Sequence, residues 1–234
     1  GVQFALQVDQ LGFTLAELVD AALVINEGGG GVLRDGKPLF NGVQAAEKIT
    51  TNFTLRVTNR GGHSSVPRDD NAITQLADAL GKVGRYRFPV QLNEVTRAFF
   101  TQTANLETPE MGRAMRALVA NPGDEEAIAA VAKDPRYSAM LRTSCVATGL
   151  SGGHASNALP QLAEANINCR IYPTSNAEEV KATFERVIAD TNVKVVIRTQ
   201  RPSTPATALA PEVMRPIARI TKELWGDIPI IPTM

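Results

Sequence analysis

Near the start of the chain, apolar positions recur at helical spacing. Phe4, Leu11, Leu15 and Leu18 stand among polar residues, which predicts a helix over 1–20. The continuous apolar run Ala21-Ala22-Leu23-Val24-Ile25 predicts a buried strand of a parallel sheet, ended by Asn26-Glu27 and four glycines. Consecutive glycines carry too much backbone entropy for a regular element, so Gly28 to Gly31 reads as loop. From Ile49 the period drops to two. Phe53, Leu55 and Val57 alternate with Thr54, Arg56 and Thr58, a half-buried strand that runs into Gly61-Gly62-His63-Ser64-Ser65 and the closing Pro67. Helical spacing returns with Ile73, Leu76, Ala77, Leu80 and Val83, and Asp69 or Asp70 is the expected cap.

Residues 93–142 read as a helical insert with turn signals at Pro109, Asn121-Pro122-Gly123 and Asp134-Pro135. Asp124-Glu125-Glu126 ahead of an alanine-rich run marks one helix start, because acidic groups favour the positive end of a helix. Met111 and Met115 at helical spacing read as core or interface filler. Strand patterning resumes over 143–150 and again over 163–172, where Ala165, Ile167, Cys169 and Ile171 alternate with Asn166, Asn168 and Arg170. A helix over 176–189 and a strand over 193–197 follow. The order β-α-(insert)-β-β-α-β predicts an open α+β sandwich resembling the ferredoxin-like arrangement. Pro202 and Pro205 mark a linker, Pro211 to Trp225 a further helix, and Ile228 to Met234 a strand entry. The expected organisation is a self-contained α+β domain (49–199) with a helical insert, placed inside a larger, incomplete α/β domain represented by 1–48 and 200–234.

Composition narrows the function classes. The chain has 234 residues, and its 24 basic residues balance 24 acidic ones, without the basic excess of a dedicated nucleic-acid binder. No apolar run reaches the roughly 18 residues of a membrane-spanning helix, and no basic-then-apolar leader opens the sequence. A soluble setting, cytoplasmic or exported, is the expectation. Cys145 and Cys169 lie too far apart for a CxxC site. A disulfide scaffold or Cys-rich zinc module is therefore not expected, and Cys145 reads as inert core. Only two histidines are present, His63 and His154.

Three segments carry candidate chemistry. Glu27 follows the 21–25 strand, and the C-terminal ends of strands in open α/β sheets are where ligands and metals sit; an exposed acid in a glycine loop is the alternative. A phosphate cradle over Gly28 to Gly31 lacks the GK[ST] continuation and a helix start. His63 sits at a strand end among glycines that let a ligand approach, or else makes a structural bond; for nucleophilic catalysis with Ser64 or Ser65 no orienting carboxylate is identifiable. Asn157, in Gly152-Gly153-His154-Ala155-Ser156-Asn157-Ala158-Leu159-Pro160, offers an amide at a turn tip. Arg170 follows on the polar face of the next strand. An amide and a guanidinium so placed suit a carboxylate, with Arg170 as a plain surface charge the alternative.

Taken together, Leu23 to Gly28, Gly61 to Pro67, and Asn157-Ala158-Leu159-Pro160 through Asn168-Cys169-Arg170 resemble the zinc-dependent metallopeptidase family of aminoacylase, glutamate carboxypeptidase, succinyl-diaminopimelate desuccinylase and yeast Gly-Xaa carboxypeptidase. The resemblance extends over nearly the whole chain. It implies a catalytic α/β domain with two bridged zinc ions and an inserted lid domain that makes a homodimer. It also implies an amide hydrolase acting on a small peptide or N-acyl amino acid. Glu27 then matches a terminal zinc carboxylate, although Asn26 stands where relatives carry aspartate. His63 matches the lid histidine that reaches into the partner subunit's active site and donates to the oxyanion. Asn157 and Arg170 match lid residues that grip the substrate. His154 acquires no role. The family's H-x-D element, bridging aspartate, Glu-Glu pair and last zinc histidine have no counterpart, and Glu125-Glu126 falls outside the family position. The expectation is a fragment, inactive by itself; a non-catalytic dimerisation module on the same scaffold is the rival.

Overall fold

The computed structural model describes residues 29–199, 206–207 and 209–234. The helix expected over 1–20, the strand over 21–25, Glu27 and the Pro202–Pro205 linker lie outside these residues. Two compact units divide the chain: Gly1–Glu47 with Asn93–Ala120 and Thr204–Met234, and Lys48–Leu92 with Asn121–Ser203.

In the first unit, β1 (Gly30–Arg34) and β2 (Lys37–Gln44) form an antiparallel hairpin, and β2 pairs in parallel with β9 (Ile230–Thr233). The hairpin turns on Asp35 and Gly36, both at positive φ (53° and 74°), as a two-residue turn matched to strand twist requires. Gly30 and Gly31, expected as loop, are the first residues of β1. A β-carbon on Gly31 would fall on the indole ring of Trp225, so the missing side chain is what lets that ring lie against the strand. Trp225 ends α7 (Pro211–Trp225), whose first turn holds Pro211 as expected; α2 (Glu94–Thr103) and α3 (Pro109–Ala120) belong to the same unit. Ala45, Ala46 and Val95 form a small core with Leu209 and Met234 packed on it.

The second unit is built on a four-stranded antiparallel sheet in the order β5-β7-β3-β8, namely Ser144–Gly152, Leu162–Ile171, Ile49–Thr58 and Val193–Ile197. Phe53, Leu55 and Val57 of β3 and Ala163, Ala165, Ile167 and Ile171 of β7 turn one face inward, as their period of two predicts. Against that face pack α1 (Ala72–Arg85) and α6 (Ala177–Ile188), with the Phe184 ring edge-on to Phe53 at 5.3 Å. The cap of α1 is Asn71, whose side chain accepts from the Ile73 and Thr74 amides, so the expected Asp69 or Asp70 is displaced by one position or two. The insert contributes α4 (Glu125–Val131), capped by Asp124 as its charge pattern predicts, and α5 (Pro135–Leu141). The opposite face of the sheet is polar: Asn168 donates to Asn52 (2.9 Å), Asn166 to Thr148 (2.6 Å), and Arg56 pairs with Glu164.

The cysteines depart from expectation. Cys145 and Cys169 are directly opposite in the β5–β7 register and form a disulfide. Cys145 is thus neither a free thiol nor inert filler. Distance along the chain said nothing of this contact, because strand pairing, not spacing, brings the two residues together.

Candidate functional site

The site begins with glycines that free the backbone at the end of β3. Gly61 sits at φ 74°, and a β-carbon there would press on the Gln161 side chain at 2.8 Å. Asn59 shapes the turn: its side-chain oxygen accepts from the Gly61 amide (3.1 Å) while its backbone amide donates to Gln161 O (2.8 Å). The chain is thereby aimed so that β4 (Gly62–His63) pairs with β6 (Ala158–Leu159), with His63 opposite Ala158. The Ser64 amide extends the ladder to Asn157 O at 2.9 Å. The two glycine-led loops, about 95 positions apart in sequence, are thus zipped into one exposed finger carrying His63 and Asn157.

The orientation of the His63 ring follows from its partners. Nδ1 accepts from the backbone amide of Ser65 (3.2 Å) and lies 2.7 Å from Ser65 Oγ. A backbone N–H can only donate, so in the neutral ring Nδ1 is the acceptor and the proton resides on Nε2. His63 is exposed, and the ring presents a fixed Nε2–H donor. Neither Ser64 nor Ser65 is set up as a nucleophile. The hydroxyl of Ser65 serves the ring nitrogen that a general base would need, and no carboxylate is bonded to the ring among the described residues.

Arg170 is at the other end of the sheet. β7 enters at Leu162, opposite Thr58, and reaches Arg170 opposite Thr50 eight residues later. At about 3.3 Å per residue, Arg170 lies some 26 Å along the strand from the His63 end. Its guanidinium donates to Thr50 Oγ1 and makes no ion pair with a carboxylate among the described residues. Next to it, half-buried Lys48 donates to Ala139 O (2.8 Å), Arg142 O (2.7 Å) and Ser144 Oγ (2.9 Å). Burial, and secondarily the charge of Arg170, lowers the Lys48 amine to a pKa of about 8. The structure thus joins His63 and Asn157 and separates both from Arg170 within one chain. His154 stands exposed between β5 and β6. The sequence marks neither Ser65 as a ring partner nor Lys48: the Ser65 contact is set by the turn of the finger, and Lys48 carries no local motif.

Glu27 lies outside the described residues. Among those described, no three of His, Cys, Asp and Glu come together as a metal site. The described residues by themselves therefore do not fit a zinc pair.

One unit thus holds a four-stranded antiparallel sheet with helices on one face, an exposed edge strand and a loop finger at one end. Residues 46–196 match the peptidase dimerisation domain of the M20 peptidases, and the chain belongs to this family. It is 28% identical over 182 residues to the human N-fatty-acyl-amino acid synthase/hydrolase PM20D1, covering 75% of this chain and 36% of that protein. It is 32% identical over 161 residues to a probable carboxypeptidase S-like 2 of Dictyostelium discoideum, covering 68% and 30%. The chain therefore spans about a third of the length of these relatives. The M20 family metallo-carboxypeptidase Sso-CP2 of Sulfolobus solfataricus shares the fold, with a TM-score of 0.55 at 18% identity over 87% of this chain and 56% of that one. No helix among the described residues is long and apolar enough to cross a membrane.

Proposed function

We propose that this chain is the lid, with flanking parts of the catalytic domain, of a zinc-dependent hydrolase that cuts an amide bond beside a free carboxylate, in a peptide or an N-acyl amino acid. The order β-α-β-β-α-β and the sheet order support a ferredoxin-like lid over 49–199, with 1–48 and 200–234 entering the catalytic domain. The zinc ligands lie outside the described residues, Glu27 among them, and the 234-residue chain is inactive by itself. The names of its relatives, an N-fatty-acyl-amino acid synthase/hydrolase and a carboxypeptidase, share one chemical trait: a carboxylate next to the amide. Arg170, a guanidinium without a carboxylate partner among the described residues, suits that group.

The observation that carries this reading is the His63 ring, held by Ser65 as an Nε2–H donor on an exposed finger. When water attacks the amide carbonyl, charge develops on the oxygen. A donor already fixed in place stabilises it without reorganising at the moment of reaction. Asn157, on the same finger, grips the substrate backbone. Because some 26 Å of strand separate this finger from Arg170, the two cannot grip one amino acid from one chain. In a homodimer the finger of one subunit serves the Arg170 end of the other. The dimer contact is the edge strand β5, where Val146 and Leu150 are 60% and 72% exposed, with Ile73 of α1 beside its end. Nothing pairs with its outer side among the described residues, and a second copy supplies what such an edge needs.

His63→Ala in the full-length protein tests the assignment. Turnover is expected to fall about a hundredfold or more, with zinc content unchanged. Unchanged turnover would remove His63 from the mechanism.

A further inference from the structure

Lys48, Thr50, Ser144 and Arg170 share one face and one end of the sheet: Thr50 and Ser144 are the β3 and β5 partners of Arg170, and Lys48 stands two residues before Thr50. All three N–H donors of Lys48 are engaged, two by carbonyls at the C-terminal end of α5 and one by the Ser144 hydroxyl, so the ammonium is held in place. The charged group facing it is Arg170 from β7. Arg142, following α5, offers its carbonyl, β5 faces it with neutral Ser144, and Arg136 of α5 is engaged by Asp134. Two cations thus stand together with no carboxylate paired to either among the described residues. Such a pair is an arrangement that lacks its counter-ion.

We propose that Lys48 is a positioning residue for Arg170: it tethers the start of β5 beside the guanidinium, and its fixed ammonium adds a second uncompensated positive charge to which the substrate carboxylate is the counter-ion. This rests on the assignment of Arg170 above. Lys48 has no free donor, so it acts through the field and through the position of Arg170 and does not touch the substrate. With its amine titrating near 8, one of the two charges is lost as pH rises past that value, and carboxylate binding weakens.

The test uses the full-length protein, an N-acyl amino acid substrate, and the variants Lys48→Met, Lys48→Arg and Arg170→Ala. Lys48→Met is expected to raise KM roughly tenfold at pH 7 with kcat within about twofold. In the unaltered protein KM should rise above about pH 8, and in Lys48→Arg, which keeps its charge, that rise should disappear. An unchanged KM in Lys48→Met, or the same alkaline rise in Lys48→Arg, overturns the proposal. A measurement without substitution covers variants that fail to fold. The Lys48 amine, followed by NMR, should titrate at higher pH once N-acetylphenylalanine is added, and an unmoved titration overturns the proposal too. If Arg170→Ala raises KM while the Lys48 variants do not, Lys48 alone falls. If Arg170→Ala leaves KM unchanged, the carboxylate assignment itself falls.

Discussion

At the scale of single residues, the proposed site depends on small groups that hold larger ones. The donor proton of His63 is on Nε2 because a backbone amide occupies Nδ1, and the Ser65 hydroxyl adds a second contact to the same nitrogen. Removing that hydroxyl leaves the backbone donor, so the tautomer persists while the ring gains freedom. Ser65→Ala in the full-length protein is therefore expected to lower kcat about fivefold, the worth of one ordinary hydrogen bond, with KM nearly unchanged. A rise in KM with kcat intact would mean that Ser65 meets the substrate and does not orient the ring. His63, Asn157 and Arg170 could be picked out in the sequence because each sits beside glycine, proline or a strand period that marks its place. Ser65 and Lys48 could not. What makes them matter is a ring nitrogen two residues away in one case, and carbonyls some ninety positions away in the other.

At the scale of elements, periodicity carried most of the second unit. The alternation in β3 and β7 and the helical spacing in α1 and α6 reflect burial on one face of a sheet, and burial is what such patterns record. The β1–β2 hairpin is not legible in the sequence, although Asp35-Gly36 is a strong turn signal, because the glycines ahead of it read as loop; pairing of Gly30 and Gly31 with Gly42 and Asn41 of β2 makes a strand of them. The disulfide was missed for a related reason, since strand order is set by the whole sheet. It ties the exposed edge strand β5 to the buried β7 across a sequence separation of 24. Closing a loop of that length stabilises a fold by about 3 kcal/mol. The double variant Cys145→Ala/Cys169→Ala is expected to lose about 2–4 kcal/mol in urea unfolding, with amide exchange rising first in β5. Equal stability, or faster exchange spread evenly over the four strands, would show that β7 holds its neighbour without the bond.

At the scale of the whole molecule, the separation of the His63 finger from Arg170 makes a prediction that no single variant can test. In the proposed dimer each active site takes Arg170 from one subunit and His63 with Asn157 from the other. Combine a subunit carrying His63→Ala with one carrying Arg170→Ala, each nearly inactive as a homodimer. In the heterodimer one site then collects both defects and the other collects neither. Random reassociation at equal amounts makes half of the dimers mixed, and half of the sites in those are intact, so activity should recover to about a quarter of that of the unaltered protein. Were the two residues to serve one site from the same chain, every site in the mixed dimer would carry one defect and nothing would be regained. The recovery also requires the β5 edge. A charge at its exposed apolar positions, as in Val146→Lys/Leu150→Lys, should leave monomers in sedimentation and abolish both the activity and its rescue, because an unpaired edge that carries lysine resists strand addition.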